Sequence, residues 1–155
     1  MLPKLSRILL VTDFSDTANR ALPFAYAVAA PGGEVHLLHV IEHQDLPNPL
    51  YAHYTQDDLF NPEKQKKAIA KVEEHLRTLV PDGADKKKIT TKVAAVIHPT
   101  VAEGIATEAK ARECDAIVIG SHGRTGLVHA VMGSVAEGVI RHSTVPVLVI
   151  PLRGN

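Results

Sequence analysis

The residues best suited to chemistry lie between Gly120 and Ser134. The segment reads Gly120-Ser121-His122-Gly123, then nine residues, then Gly133-Ser134. It begins where an apolar run stops and ends where a helical stripe starts. Glycines let backbone N–H groups approach an anion with no Cβ in the way. A helix N-terminus adds unpaired donors and a partial positive charge. This combination predicts a phosphate cradle. The Ser134 hydroxyl can donate to a phosphate oxygen, and Arg124 is a candidate for an outer phosphate contact or for solvent. Two common phosphate loops are excluded. No Gly-Lys-Ser/Thr follows the first glycine, so this is not a P-loop. The dinucleotide fingerprint has another spacing and follows a first strand, whereas these glycines follow a fourth. The competing reading is a loop whose glycines only serve tight turns.

Asp13 is the second candidate. It ends an apolar run, Ile8 to Val11, and a carboxylate there can accept from two vicinal hydroxyls of a sugar. It can equally cap the helix that follows. Other groupings are weaker. Of nine histidines, His36, His39 and His43 lie close in sequence, but positions 36 and 39 of a strand face opposite ways. No cysteine pair supports a zinc site. Ser121-His122 suggests nucleophile and base, yet adjacent residues rarely face one another and no GxSxG elbow is present. His122 is expected to line the pocket or face solvent. Cys114 reads as a packing residue at a helix end. The lysines at 64, 66, 67, 71 and 86 to 88 read as a solvated face balanced by nearby acids.

The elements that must position these residues alternate. Apolar runs at Arg7 to Val11, Glu34 to Ile41, Lys88 to Val96, Asp115 to Ile119 and Pro146 to Ile150 predict strands. Between them run helical stripes. Ser15 or Asp16 caps one that carries Ala18, Ala21, Leu22, Ala25 and Ala29, with Pro23 bending its first turns or marking a later start. Pro62 to Leu79 carries Ile69, Val72, Leu76 and Leu79. Pro99 and Thr100 open a third, with Val101, Ile105 and Ala109, and Ser134 to Arg141 makes a fourth. Residues 42 to 61 show no period and read as a long surface loop with a helical turn. Its aromatic stretch from Tyr51 to Phe60 suits a lid, a partner surface or packing on the core. The order predicts one domain over residues 1–155, an open, doubly wound, five-stranded parallel sheet with helices on both faces. Ligands then bind beyond the carboxyl ends of the strands, where strand order reverses.

Composition narrows the class. The chain has 155 residues, 45 % of them apolar and 22 % charged, with 17 basic and 17 acidic residues. That is an ordinary globular mixture, with no basic excess to favour nucleic acid. No stretch approaches the ~18 apolar residues of a membrane span. A single cysteine and the absence of a signal-like start lead us to expect a cytoplasmic protein.

The segment GSHGRTGLVHAVMGSVAEGVI resembles the nucleotide-binding signature of the universal stress protein family, Gly-x2-Gly-x9-Gly-Ser. RILLVTDFSDTANRAL, VHLLHVIE, AEGIATEAKARECDAIVIGSHG and RHSTVPVLVIP resemble its other segments, with the weakest likeness over residues 42 to 90. The resemblance implies a Rossmann-like sheet of the adenine nucleotide alpha hydrolase type. It implies a homodimer paired through the last strand, Val145 to Ile150, and binding of ATP, or ADP or AMP, with Mg2+ or Mn2+ on the phosphates. Carried over by position, Asp13 would hold the ribose hydroxyls, with Thr12, Phe14 and Ser15 bordering it. The backbone of Val40 would meet adenine, and Gly120 would lie against the ribose. Ser121, His122, Gly123, Arg124, Gly133, Ser134 and Val135 would surround the phosphates. Where relatives commonly carry glycine after the third strand, this chain has Ile97-His98-Pro99, bulkier residues beside the adenine. The family reading is a nucleotide-dependent stress regulator or protective factor, with the client unknown. Two other readings stay open, a slow ATPase or phosphotransfer enzyme and a nucleotide-free interaction protein.

Overall fold

The computed structural model describes residues 2–42, 56–123 and 132–151. The apolar runs become β1 (Arg7–Val11), β2 (Glu34–Glu42), β3 (Thr90–His98), β4 (Ala116–Gly120) and β5 (Val147–Ile150). They form one sheet in the order β3-β2-β1-β4-β5. Every neighbouring pair is parallel. From β1 the chain winds outward through β2 to β3, then crosses back to place β4 on the other side of β1. The carboxyl ends of β1 and β4 therefore flank the reversal point, where an open α/β sheet leaves a crevice.

Six α-helices accompany the strands among the described residues: α1 (Asp16–Asn19), α2 (Leu22–Val28), α3 (Gln56–Leu59), α4 (Pro62–Thr78), α5 (Val101–Ala111) and α6 (Ser134–His142). Strand alternation assigns the layers. Ile8 and Leu10 of β1 pack in one core with Leu22, Ala25 and Tyr26 of α2 and Val72 and Leu76 of α4. Leu9 and Val11 pack in a second core with Ile105 and Ala109 of α5 and Val139 of α6. A strand with apolar side chains on both faces is what a doubly covered sheet requires. Pro23 marks a later start, since it falls in the first turn of α2 after a break from α1.

The third strand differs from its expected bounds. Lys88 sits in the left-handed region (φ 54°) at the end of a short 3-10 turn, Asp85–Lys87. The chain is still turning there, so β3 starts at Thr90. It then continues two residues past Val96, held by pairing of Ile41 with Ile97 and Glu42 with His98. The expected helical turn in the 42–61 stretch is α3, while residues 43–55 lie outside those described.

The amino edge of the sheet is tied by charge. Asp115 accepts from the N–H groups of Ser6 and Arg7, both at 2.8 Å. Glu34 takes Lys92 at 2.7 Å, His36 Nε2 at 2.8 Å and Arg7 Nε at 3.2 Å. The hydrogen bonds from Lys92 and His36 hold its carboxyl down at about 2. Burial pushes the His36 imidazole below its ordinary value despite Glu34. Cys114 is buried nearby, and burial raises its thiol to about 11, which makes it a packing residue rather than a nucleophile.

Candidate functional site

The turn after β1 is built from short-range hydrogen bonds. Thr12 is buried and donates its N–H to Leu38 at the end of the β1–β2 ladder. Its hydroxyl donates to Asn19 Oδ1 at 2.6 Å and accepts from the Phe14 N–H at 2.9 Å. These bonds hold Phe14 in the left-handed region, with φ 68°. A phenylalanine there is costly, and such strain collects at functional turns. The Phe14 ring turns into the core, 4.7 Å from the His39 ring and 4.9 Å from that of His75. His39 Nδ1 donates in turn to the Thr12 carbonyl at 2.8 Å. Phe14 therefore shapes the turn through its backbone, and its ring does not line the crevice.

The cap of α1 is Ser15, not Asp13. The Ser15 hydroxyl accepts from the Ala18 N–H and donates to Asp13 Oδ1 at 2.5 Å. The Ser15 N–H also donates to Asp13 Oδ1 at 3.0 Å. One carboxylate oxygen is thus fixed by the turn. The other, Oδ2, points at Gly123, where an added Cβ would overlap it. Asp13 and the first half of the glycine segment, 110 positions apart in sequence, share one small space.

The glycines explain themselves by close approach. A Cβ on Gly120 would lie 3.2 Å from both the Ala18 Cα and the Thr17 carbonyl. Gly133 donates its N–H to the Ser121 carbonyl at 2.6 Å, and a Cβ there would lie 3.0 Å from the same oxygen. Gly133 is the N-cap of α6 and offers no side chain, so no side-chain hydrogen bond caps the helix. The first-turn amides of α6 therefore form an anion-competent terminus, with Ser134 and Val135 exposed on it. Ser121 also donates its N–H to Ile150 of β5. Contrary to expectation, Ser121 Oγ and His122 Nδ1 do face each other, 2.9 Å apart and buried, because the chain turns sharply after β4. Arg124 lies outside the described residues.

Val40 is buried in β2. Backbone groups two residues apart on a strand point the same way. Leu38 bonds toward β1, so the N–H and carbonyl of Val40 face the space past the end of β1. Ile97 turns its side chain into the α2–α4 core. It was expected in a loop after β3, but β3 continues through it by pairing with Ile41, and this sets its side chain on that face. His98, on the opposite face of β3, meets α5 instead. His36 and His39 do face opposite ways. Among the described residues no group of three His, Cys, Asp or Glu is arranged to hold a metal ion.

Sequence reasoning missed His39, Asn19 and Gly104. A glycine inside the stripe between Val101 and Ile105 was the available signal for Gly104, since such a glycine often marks a close approach.

Comparisons with known proteins agree along the whole length. The sequence profile of the Universal stress protein family matches residues 4–151. Universal stress protein MJ0577 of Methanocaldococcus jannaschii is 31 % identical over 164 residues, covering 96 % of each chain. The solved structure of MJ0577 matches with a TM-score of 0.72 at 30 % identity, covering 99 % of this chain and 100 % of that one. A universal stress protein in complex with cAMP matches at TM-score 0.63 and 18 % identity, covering 97 % of this chain and 100 % of that one. The universal stress protein from Archaeoglobus fulgidus in complex with dAMP matches at 0.53 and 22 %, covering 97 % and 99 %. No helix among the described residues is long and apolar enough to cross a membrane.

Proposed function

The chain belongs to the universal stress protein family, and from that premise we propose that it binds ATP, or ADP or AMP, in the crevice between β1 and β4. It would act as a nucleotide-dependent stress regulator or protective factor. The observation that carries this is the meeting of Asp13 Oδ2 with Gly123 beside the N-terminus of α6. The carboxylate suits the two hydroxyls of a ribose. Gly123, Ser134 and Val135 suit the phosphates through their backbone N–H groups, while Gly133, whose own N–H is taken by the Ser121 carbonyl, keeps the end of α6 clear of a side chain. Val40 would present its amide and carbonyl to the base edge. The cAMP and dAMP complexes of the two family members support an adenine nucleotide in particular. Mg2+ or Mn2+ would sit on the phosphate oxygens.

A homodimer through β5 is part of the same reading. β5 is an edge strand, and Leu148 on it and Ile140 on α6 are exposed apolar residues. An unpaired apolar edge favours pairing with another copy.

The test is to purify the protein without added nucleotide, denature it, and identify what is released. Adenine nucleotide in stoichiometric amount is expected. An empty protein that also fails to bind at millimolar ATP would overturn the proposal.

A further inference from the structure

We propose that His39 and Phe14 form a clamp that positions the Asp13 carboxylate for a ligand's hydroxyl groups, His39 through the Thr12 carbonyl and Phe14 through a left-handed backbone angle held by its ring. The inference rests on the nucleotide reading above and deepens it, naming two positioning residues behind the site.

Asp13 sits between two peptide groups, and each is pinned by a different neighbour. The carbonyl before it belongs to Thr12 and receives His39 Nδ1 at 2.8 Å. The N–H after it belongs to Phe14 and donates to the Thr12 hydroxyl at 2.9 Å. That hydroxyl is itself committed, donating to Asn19 Oδ1 at 2.6 Å. A residue has only two soft backbone angles, so fixing both flanking peptides fixes the direction in which its side chain leaves. Ser15 then takes Oδ1, and Oδ2 is left toward Gly123. A carbonyl only accepts, so the His39 contact requires a proton on Nδ1. Thr12 and His39 are both buried, and a hydrogen bond lost between them is not made good by bulk water.

The angle at Phe14 is the costly part of this arrangement. At φ 68° its Cβ crowds the backbone, a clash that glycine avoids and phenylalanine does not. The ring offsets that cost. It packs between two imidazoles, tilted at 38° to His39 of β2 and closer to edge-on, at 64°, to His75 of α4. Rings meeting edge to face attract one another beyond their buried area. One side chain, His39, therefore holds both the Phe14 ring and the carbonyl before Asp13. The flanking elements are finished without the clamp. β1 ends at Val11, and α1 has its own cap in Ser15. What the clamp adds is the direction of the Asp13 side chain.

Titration calorimetry with ATP and with dideoxy-ATP, which lacks both ribose hydroxyls, tests this in the parent, Phe14→Ala, Phe14→Gly and His39→Leu. The parent is expected to prefer ATP by at least ~10-fold, the scale of hydrogen bonds to a charged group. Alanine removes the ring and keeps a Cβ that resists the left-handed angle. Phe14→Ala should therefore lose most of the preference, to within about threefold. His39→Leu should do the same, by releasing the Thr12 carbonyl. Glycine also removes the ring but takes the angle freely, so Phe14→Gly should keep the preference. A role in stability alone would weaken both nucleotides together and leave their ratio unchanged. Long-range 15N correlation spectra of the parent supply a measurement that needs no mutant, with a proton on His39 Nδ1 expected. The parent's preference persisting in Phe14→Ala or His39→Leu, its loss in Phe14→Gly, or a bare Nδ1 at His39 would overturn the clamp and leave nucleotide binding standing. So would a parent that bound ATP and dideoxy-ATP equally, since Asp13 would then hold no hydroxyl. A parent that bound neither nucleotide would instead overturn the reading beneath it.

Discussion

The two edges of the sheet are made of the same strands and finished in opposite ways. At the amino edge side chains close off the backbone. Asp115 takes two N–H groups, Glu34 gathers Lys92, His36 and Arg7, and Lys87 Nζ donates to the Tyr26 and Ala27 carbonyls at the end of α2. At the carboxyl edge side chains close only the turn after β1, where Ser15 caps α1, and elsewhere small residues leave the backbone open. Gly133 leaves α6 without a side-chain cap, Gly123 clears room in front of Asp13, and Phe14 takes a strained backbone angle. One edge fastens the sheet and the other leaves room for the nucleotide proposed above. Stability and binding should therefore be separable by mutation, which a protein with one shared polar network would not permit.

The largest test of that separation is Gly123→Val. Its Cβ would run into the Asp13 carboxylate, so ATP affinity is expected to fall at least ~100-fold, about 2.7 kcal/mol, while the melting temperature changes little. Calorimetry and a thermal melt on one sample check both halves, and unchanged ATP affinity would break the comparison at its carboxyl end. At the opposite edge, Asp115→Ala removes two charge-assisted bonds to backbone N–H groups and is expected to cost about 2 kcal/mol in urea unfolding. ATP affinity of the folded variant should hold. If it fell in step with stability, the edges would be one unit.

A smaller effect links α5 to the end of β3. Gly104→Ala alone should destabilise, since the added methyl meets His98. In a His98→Ala background the same change should stabilise by up to about 1 kcal/mol, because alanine is the better helix former. A double-mutant cycle by chemical denaturation reads the sign change. The smallest effect is a pH dependence confined to the amino edge. Burial lowers His36 in the folded state, so the unfolded chain binds its proton first and stability declines as pH falls below the ordinary histidine value. Glu34 acts in the same direction at lower pH. Its contribution is present above the ordinary carboxylate value and is lost as pH falls toward about 2. Replacing His36 with Leu should erase the upper step of an unfolding-against-pH curve and leave the lower one.

Much of the architecture was legible because apolar runs and stripes have different periods. β1, β2, β4 and β5 fell where such runs predicted them, and Pro23 announced the break before α2. β3 slipped because Lys88 takes a left-handed angle, and nothing in a lysine signals that. The extension at the other end of β3 mattered more at the site, since pairing with Ile41 and Glu42 sets Ile97 on the core face and puts His98 at the strand end. The glycine spacing was readable as an opening. What each glycine opens toward was not, because Asp13 for Gly123 and His98 for Gly104 are tertiary neighbours. The Phe14 angle was hidden for the same reason, being imposed by Thr12 rather than by phenylalanine.

β1 lies in the middle of the sheet, and this bears on when the site comes into being. Its partner β4 comes from the last third of the chain, and the Arg7 N–H meets Asp115 across 108 positions. Such distant pairing is slow to form, since a long loop must close before any contact rewards it. Asp13 would emerge early in synthesis and wait for Gly123 and Gly133. A nucleotide that needs all three would recognise only a chain that has finished winding, and by mass action would hold it in that state. Ligand capture during refolding would then mark the last step of assembly, not an early one.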